Sequence, residues 1–427
     1  LHTAYRRQRQ MCIRDSIYIG HIPGEGSLAL TGVGVCMPII MIVSAFAALV
    51  SSGGAPRASI YMGKQDNKSA ENILGNCFIL QIIISVILTA ILLIWGRDLL
   101  LAFGASENTI SYATDYMHIY AFGTLFVQLT LGMNAFITAQ GFTTFSMVSV
   151  LIGAVCNIVL DPVFIFVFHM GVRGAALATV ISQAISTLWV VLFLCGKKTQ
   201  LHLRKKHLHL EAKVVLPCIA LGLGLAAFIM QSSESIVTVC FNSSLLRYGG
   251  DIAVGAMTIL TSVMQFAMLP LQGIAQGSQP VSSYNYGAKN KKRLSETIRF
   301  AFLLEVLTGA GMAVVLGAAA PLLVGLFLKE ADVIAVAQQI LRVQLIGMPF
   351  VGIVLASTCI FQAIGNGAGA MILSAGRQGV IFAIVIFCAS KLAGFSGVIA
   401  SQPVSDFLTA LVAVMILLQW KKKEFAK

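Results

Sequence analysis

The sequence predicts an all-α polytopic membrane protein with two pseudo-symmetric lobes of six helices, the first helix being incomplete. Three observations carry that prediction. Of 427 residues, 57% are hydrophobic and only 11% are charged, and a water-soluble chain of this length cannot hide so much apolar surface. Apolar runs long enough to cross a bilayer as helices, roughly 20 residues each, recur along the whole chain. Finally, the second half repeats landmarks of the first at a constant separation.

Residues 1–14 (LHTAYRRQRQMCIR) are basic and polar and lack the apolar core of a signal peptide. Beyond them, spans are expected near 28–60, 71–95, 109–137, 145–168 and 174–196. A second set is expected near 214–245, 252–286, 296–326, 333–363, 368–390 and 395–420. Several exceed the bilayer thickness, which implies tilt or projection. The connecting loops are short and leave no room for a separate soluble domain. Lys64 and Lys68, the central run from Lys197 to Lys213, Lys289 to Arg293, and Lys421 to Lys423 fall on one side if the spans alternate. Clusters of this kind mark the cytoplasmic side, so the net charge of +12 reads as a topology signal and not as a nucleic-acid surface. The central loop and both termini are therefore expected in the cytoplasm. His202, His207 and His209 lie in that loop, where a solvated surface is the simpler reading and a metal site the sharper one. The nine cysteines are scattered without CxxC spacing and read as small buried hydrophobes.

The repeat is the main organisational signal. GGAPRASIYMG (53–63) matches GSQPVSSYNYG (277–287) at a separation of 224, pairing Gly53 with Gly277, Pro56 with Pro280, Ser59 with Ser283 and Gly63 with Gly287. The same register, without a gap, pairs Lys68 with Lys292, Gly123 with Gly347, Phe126 with Phe350 and Gly141 with Gly365. It divides the chain into a non-family segment 1–14, an N-terminal lobe 15–196, a basic linker 197–213 and a C-terminal lobe 214–427. An even number of crossings separates the halves, so they should be related by an axis along the membrane normal. Residues 1–14 fall opposite an apolar stretch of the second half. A truncated or replaced N-terminus is therefore expected, with the repeat resuming near Asp15.

The chemistry concentrates in Asn157-Ile-Val-Leu-Asp161-Pro162. A carboxylate at mid-membrane depth costs about 2.5–3.5 kcal/mol on insertion scales, so it needs a polar cavity, a partner or a proton. Asn157 lies four residues earlier, on the same helix face. Pro162 removes a backbone donor and favours a bend beside the acid. A carboxyl withdrawn from water can hold a proton near physiological pH. A structural polar pair between packed helices is the plain alternative to a proton- or cation-linked transport site; the transport reading is carried forward.

With these residues in view, the chain resembles the multidrug and toxic compound extrusion (MATE) transporters, in particular their MepA-like bacterial branch. The stretches that carry the resemblance are DSIYIGHIPGEGSLALTGVG (15–34), NIVLDPVFIF (157–166), GIAQGSQPVSSYNYGAKN (273–290), GRQGV (376–380) and QPVSDFLTALVA (402–413). The resemblance implies two six-helix lobes and efflux of cationic or amphipathic compounds in exchange for protons or sodium. Carried over by position, it makes Asp15, Asn157, Asp161 and Thr179 the coupling site, with Asp15, Asn157 and Asp161 able to hold sodium instead of a proton. It also places a C-lobe coupling glutamate at Glu234.

Gln272, Gln276, Gln279 and Tyr284 fall at roughly helical spacing, either lining a C-lobe cavity with Glu234 or bonding helices beside Gly273 and Gly277. Glu305 and Gln81 occupy equivalent repeat positions; Arg377 and Asp406 are placed to pair or to snorkel. Sixteen methionines and 25 phenylalanines suit soft contacts with varied apolar cations. The expectation is a monomeric antiporter of the bacterial cytoplasmic membrane that needs no cofactor beyond its coupling ion. Its partners are organic cations and lipid, not nucleic acid. The alternative is a lipid-linked oligosaccharide flippase of related architecture, which would need basic residues within its spans. No HExxH, GxGD or P-loop pattern argues for an enzyme.

Overall fold

The computed structural model describes residues 26–103, 105, 107–215, 224, 225, 228, 264, 266–325 and 331–425, and every regular element among them is helical. In the first part, α1 (Gly26–Gly63), α2 (Asn67–Ala102), α3 (Ile110–Ala139) and α4 (Thr143–Pro162) follow in order. A π-helical turn (Val163–Val167) and α5 (Gly171–Cys195) complete it. The second part comprises α6 (266–287), α7 (Lys291–Ala318), α8 (Ala320–Gly325), α9 (Ala331–Ile346) and α10 (Met348–Ala363). It closes with α11 (Gly367–Ala375), a second π-helical turn (Gly376–Val380) and α12 (Ile381–Phe425). The chain divides into two compact units, Leu1–Ala220 and Leu221–Lys427.

Among the described residues seven helices are long and apolar enough to cross a membrane, or eight if one bent pair counts as a single span. Each of the five spans expected up to residue 196 has its helix. Most of the expected 214–245 span and the opening of 252–286 lie outside the described residues. The expected 333–363 span is broken instead of continuous: its halves meet at 45° where Gly347 precedes the Met348-Pro349 start of α10. A proline at the second helical position has no amide hydrogen to give to the preceding turn, so it starts a new helix readily. Likewise α12 is interrupted at Gly394 (φ 54°, ψ −127°), a conformation open to glycine, and the last span begins at Ser396.

The 224-residue register of the sequence reappears in the backbone. Gly141 and Gly365 take positive φ (88° and 79°), and so do Gln65 and Lys289 (62° and 55°). Asp66 and Asn290 each cap the helix that follows: Asp66 Oδ1 accepts from the Ser69 amide and Asn290 Oδ1 from the Arg293 amide, both at 3.1 Å. The helices so capped start at Asn67 and Lys291, and α3 and α10 end at Ala139 and Ala363, all at the same separation.

Large apolar side chains stand exposed along the spans, as suits lipid surroundings, and buried polar groups face inward among the apolar core. On α2 the side chains of Val86, Ile87, Ile94 and Trp95 are exposed while Gln81 and Ser85 are fully buried. Inside the first unit Tyr116, Met117 and Tyr120 of α3 form the centre of the core with Val33, Ile40 and Val43 of α1. In the second unit Leu341, Leu345 and Met348 pack with Leu271 and Leu355.

Candidate functional site

Asp161 ends the regular part of α4, and Asn157 lies one turn before it on the same side. The Asn157 amide donates to Asp161 Oδ1 at 3.1 Å and to Thr179 Oγ1 at 3.4 Å. All three residues are buried, with at most 2% of their surface exposed. The local backbone explains the meeting. Pro162 has no N–H, and the chain after it widens into a π-helical turn in which the Phe168 amide reaches back five residues to the Val163 carbonyl at 3.0 Å. Gly174 lets α5 close onto that turn: a Cβ there would stand 2.8 Å from the Phe164 carbonyl. The close approach brings Thr179, further along α5, to the Asn157 amide. The result is a carboxylate, an amide and a hydroxyl converging inside the first unit, a set able to hold a proton or offer oxygen ligands to a small cation.

The other site residues read from the sequence are distributed differently. Asp15 and Glu234 lie outside the described residues. Gln272, Gln276 and Tyr284 share α6; Gln272 and Gln276 are half-buried and Tyr284 is 40% exposed. Gln279 Nε2 donates to Gln362 Oε1 at 3.0 Å, so at this position the helix-bonding reading holds and α6 is tied to α10. Arg377, in the second π-helical turn, pairs with Asp406 of α12 (Nε to Oδ1, 2.8 Å), both nearly fully buried. Gln402 Nε2 adds a 3.3 Å bond to the same oxygen.

Several polar contacts are absent from the sequence reading. Asn134 donates to Ser149 Oγ at 2.7 Å, Ser186 donates to the Ser149 carbonyl at 3.1 Å, and Thr130 meets Thr187 at 2.7 Å, stitching α3, α4 and α5 together. Small hydroxyl residues three or four apart were the available signal. The histidine loop is docked, not simply solvated. Glu71 of α2 is buried and accepts the His202 amide at 3.1 Å. Around it stand His202 Nδ1 at 3.3 Å, Arg204 Nε at 3.5 Å and His207 Nε2 at 3.8 Å. His209 pairs with Glu211, whose amide donates to the Asn76 side chain at 2.6 Å. Among the described residues no group of three or more His, Cys, Asp or Glu side chains is arranged to hold a metal ion.

A MatE family profile matches residues 10–163 and 225–388, three quarters of the chain and both halves of the repeat. The chain belongs to the MatE family. It is therefore a membrane transporter and not an enzyme. The Multidrug export protein MepA of Staphylococcus haemolyticus (strain JCSC1435) is 29% identical over 406 residues, covering 95% of this chain and 88% of that protein. MepA of Staphylococcus aureus (strain MSSA476) is 27% identical over 414 residues at the same coverage. Among solved structures, a MATE protein crystallised in its bent conformation superposes with a TM-score of 0.92 at 23% identity, covering 100% of this chain and 94% of that one. An outward-facing multidrug resistance MATE transporter superposes with a TM-score of 0.89 at 24% identity, covering 98% and 94%. The all-helical MatE fold predicted from the sequence is thus the fold of this chain.

Proposed function

We propose that this MatE protein is a cation-coupled antiporter that exports amphipathic or cationic compounds across the bacterial cytoplasmic membrane, exchanging each for a proton or a sodium ion bound at Asp161. The observation that carries the reading is the buried Asp161 carboxylate held by Asn157, whose amide also donates to Thr179. Asp15 completes the coupling site. The chain comprises lobes 15–196 and 214–427 joined by the linker 197–213, and Glu234, Gln272, Gln276 and Tyr284 are assigned to a cavity of the C-lobe. The basic loops and both termini face the cytoplasm, and the unit of transport is the monomer. The multidrug export relatives support the substrate class.

The complete burial of Asp161, Asn157 and Thr179 favours a second reading, in which they form a structural polar knot. One experiment separates the two. Proteoliposomes loaded with tetraphenylphosphonium are given a pH gradient or a sodium gradient separately. Under the coupling reading one gradient drives release from wild type and neither drives it from Asp161→Asn. Equal gradient-driven release from both proteins overturns the assignment.

A further inference from the structure

Glu305 stands near the middle of α7 and is fully buried, and no described side chain forms a hydrogen bond with its carboxyl group. No described basic group forms an ion pair with it. The titratable side chain facing it is the Cys359 thiol of α10. Its carboxyl accepts from the Ala275 backbone amide on α6 and lies over Gly352 on α10, where a Cβ would stand 3.2 Å from Oε2.

The first unit shows how the same place is filled when it is neutral. In the 224-residue register, Glu305 corresponds to Gln81 and Gly352 to Gln128. Gln81 Nε2 donates to the Ala47 carbonyl at 3.3 Å, and Gln128 Nε2 to the Val43 carbonyl at 2.8 Å. Two amide donors therefore tie α2 and α3 to α1. In the second unit one of those amides has become a glycine and the other an acid seated in the space the glycine leaves. A carboxylate has no hydrogen to give, whereas a carboxylic acid donates as an amide does. A buried anion with no cationic partner in the span would meet a large desolvation cost, and the neutral acid avoids it.

We propose that Glu305 is a protonation site of the second unit. In the packed arrangement it carries a proton where Gln81 carries an amide hydrogen, beside the α6 backbone at Ala275. It surrenders that proton when α7 parts from α6 and α10. The link to transport rests on the antiport reading given above; the protonated state does not.

The test uses the purified full chain and infrared difference spectra between acidic and alkaline buffer, in the region of the carboxylic C=O stretch. Wild type should show a protonated-acid band at neutral pH that is missing from Glu305→Gln and kept in Asp161→Asn. Glu305→Gln should unfold at the wild-type temperature, since Gln81 already fits this frame, and should release fewer protons when tetraphenylphosphonium is added in weak buffer. If the glutamine variant does not purify, Glu305→Met gives the same spectral readout. Identical bands in wild type and the variant overturn the proposal. Asp161→Asn that still transports would sink the Asp161 assignment while leaving the Glu305 band to be judged by itself.

Discussion

Replacing Asn157 by alanine should harm the fold more than replacing Asp161 by asparagine, although the second change should harm transport more. The Asn157 amide supplies the 3.1 Å bond to Asp161 and the 3.4 Å bond to Thr179. A hydrogen bond to a charged acceptor is worth about 1.5–3 kcal/mol and one to a neutral hydroxyl about 0.5–1.5 kcal/mol. The longer contact belongs at the weak end, so Asn157→Ala should lose about 2–4 kcal/mol. Asp161→Asn keeps the side-chain volume and an oxygen that accepts from Asn157, so its stability should stay within about 1 kcal/mol of wild type. Thermal or denaturant unfolding in detergent measures the first ranking, and gradient-driven tetraphenylphosphonium release measures the second. The reasoning fails if Asp161→Asn proves the less stable variant, because the carboxylate would then be a structural element. It also fails if Asn157→Ala unfolds like wild type, because the geometry would not be what holds the acid in place.

Three further outcomes follow from the same structure. Arg377→Met alone should destabilise by about 3–5 kcal/mol, since it leaves Asp406 buried without its cationic partner, whereas Arg377→Met combined with Asp406→Leu should recover most of that loss. A double variant as unstable as the single would refute this account of the pair. Glu71→Ala should release the loop, seen as several-fold faster tryptic cleavage at Arg204, Lys205 and Lys206; unchanged cleavage would mean that Glu71 does not hold it. The hydrogen bond from His209, reinforced by Asn72, keeps the Glu211 carboxyl below its ordinary value of 4.5. Its contribution is therefore complete above that value and is lost as pH falls through the lowered one. Hydrogen exchange over residues 205–215, corrected for its intrinsic pH dependence, should accelerate only in that acidic window.

Much of the architecture was legible because a bilayer leaves a chain few choices. Hydropathy placed the spans, and the repeat placed Gly141 and Gly365 at equivalent positions, which the backbone makes equivalent turns. The Asn157–Asp161 contact was legible too, since a four-residue spacing on one helix forces two side chains together. Thr179 was not legible from spacing: it lies 22 residues from Asn157, and only resemblance to the family drew attention to it. What brings it there is the π-helical turn and the close approach at Gly174, neither of which has a periodic signature. Pro162 announced a disturbed backbone but not its form. The docking of the histidine loop stayed hidden because the Glu71–His202 contact joins residues 131 apart.

The repeat also separates what the fold needs from what transport needs. The turns at Gly141 and Gly365, the caps at Asp66 and Asn290 and the helix ends at Ala139 and Ala363 are held at constant separation, since a shift at any of them would misplace a whole helix. The buried polar positions are not held in the same way. Gln81 and Gln128 of the first unit align with Glu305 and Gly352 of the second, while Asn157 and Asp161 align with the apolar Ile381 and Val385. Packing alone would reward neutral side chains at every one of these places, because each buried acid adds a desolvation cost that an amide of the same shape avoids. Asp406 and Glu71 also align with serines in the register, but an ion pair and a docked loop account for them. An acid explained by neither is, on the coupling reading proposed above, accounted for by what an amide cannot do, which is to gain and lose a proton. That argument applies to Asp161 in the first unit and to Glu305 in the second, on different helices of the same frame.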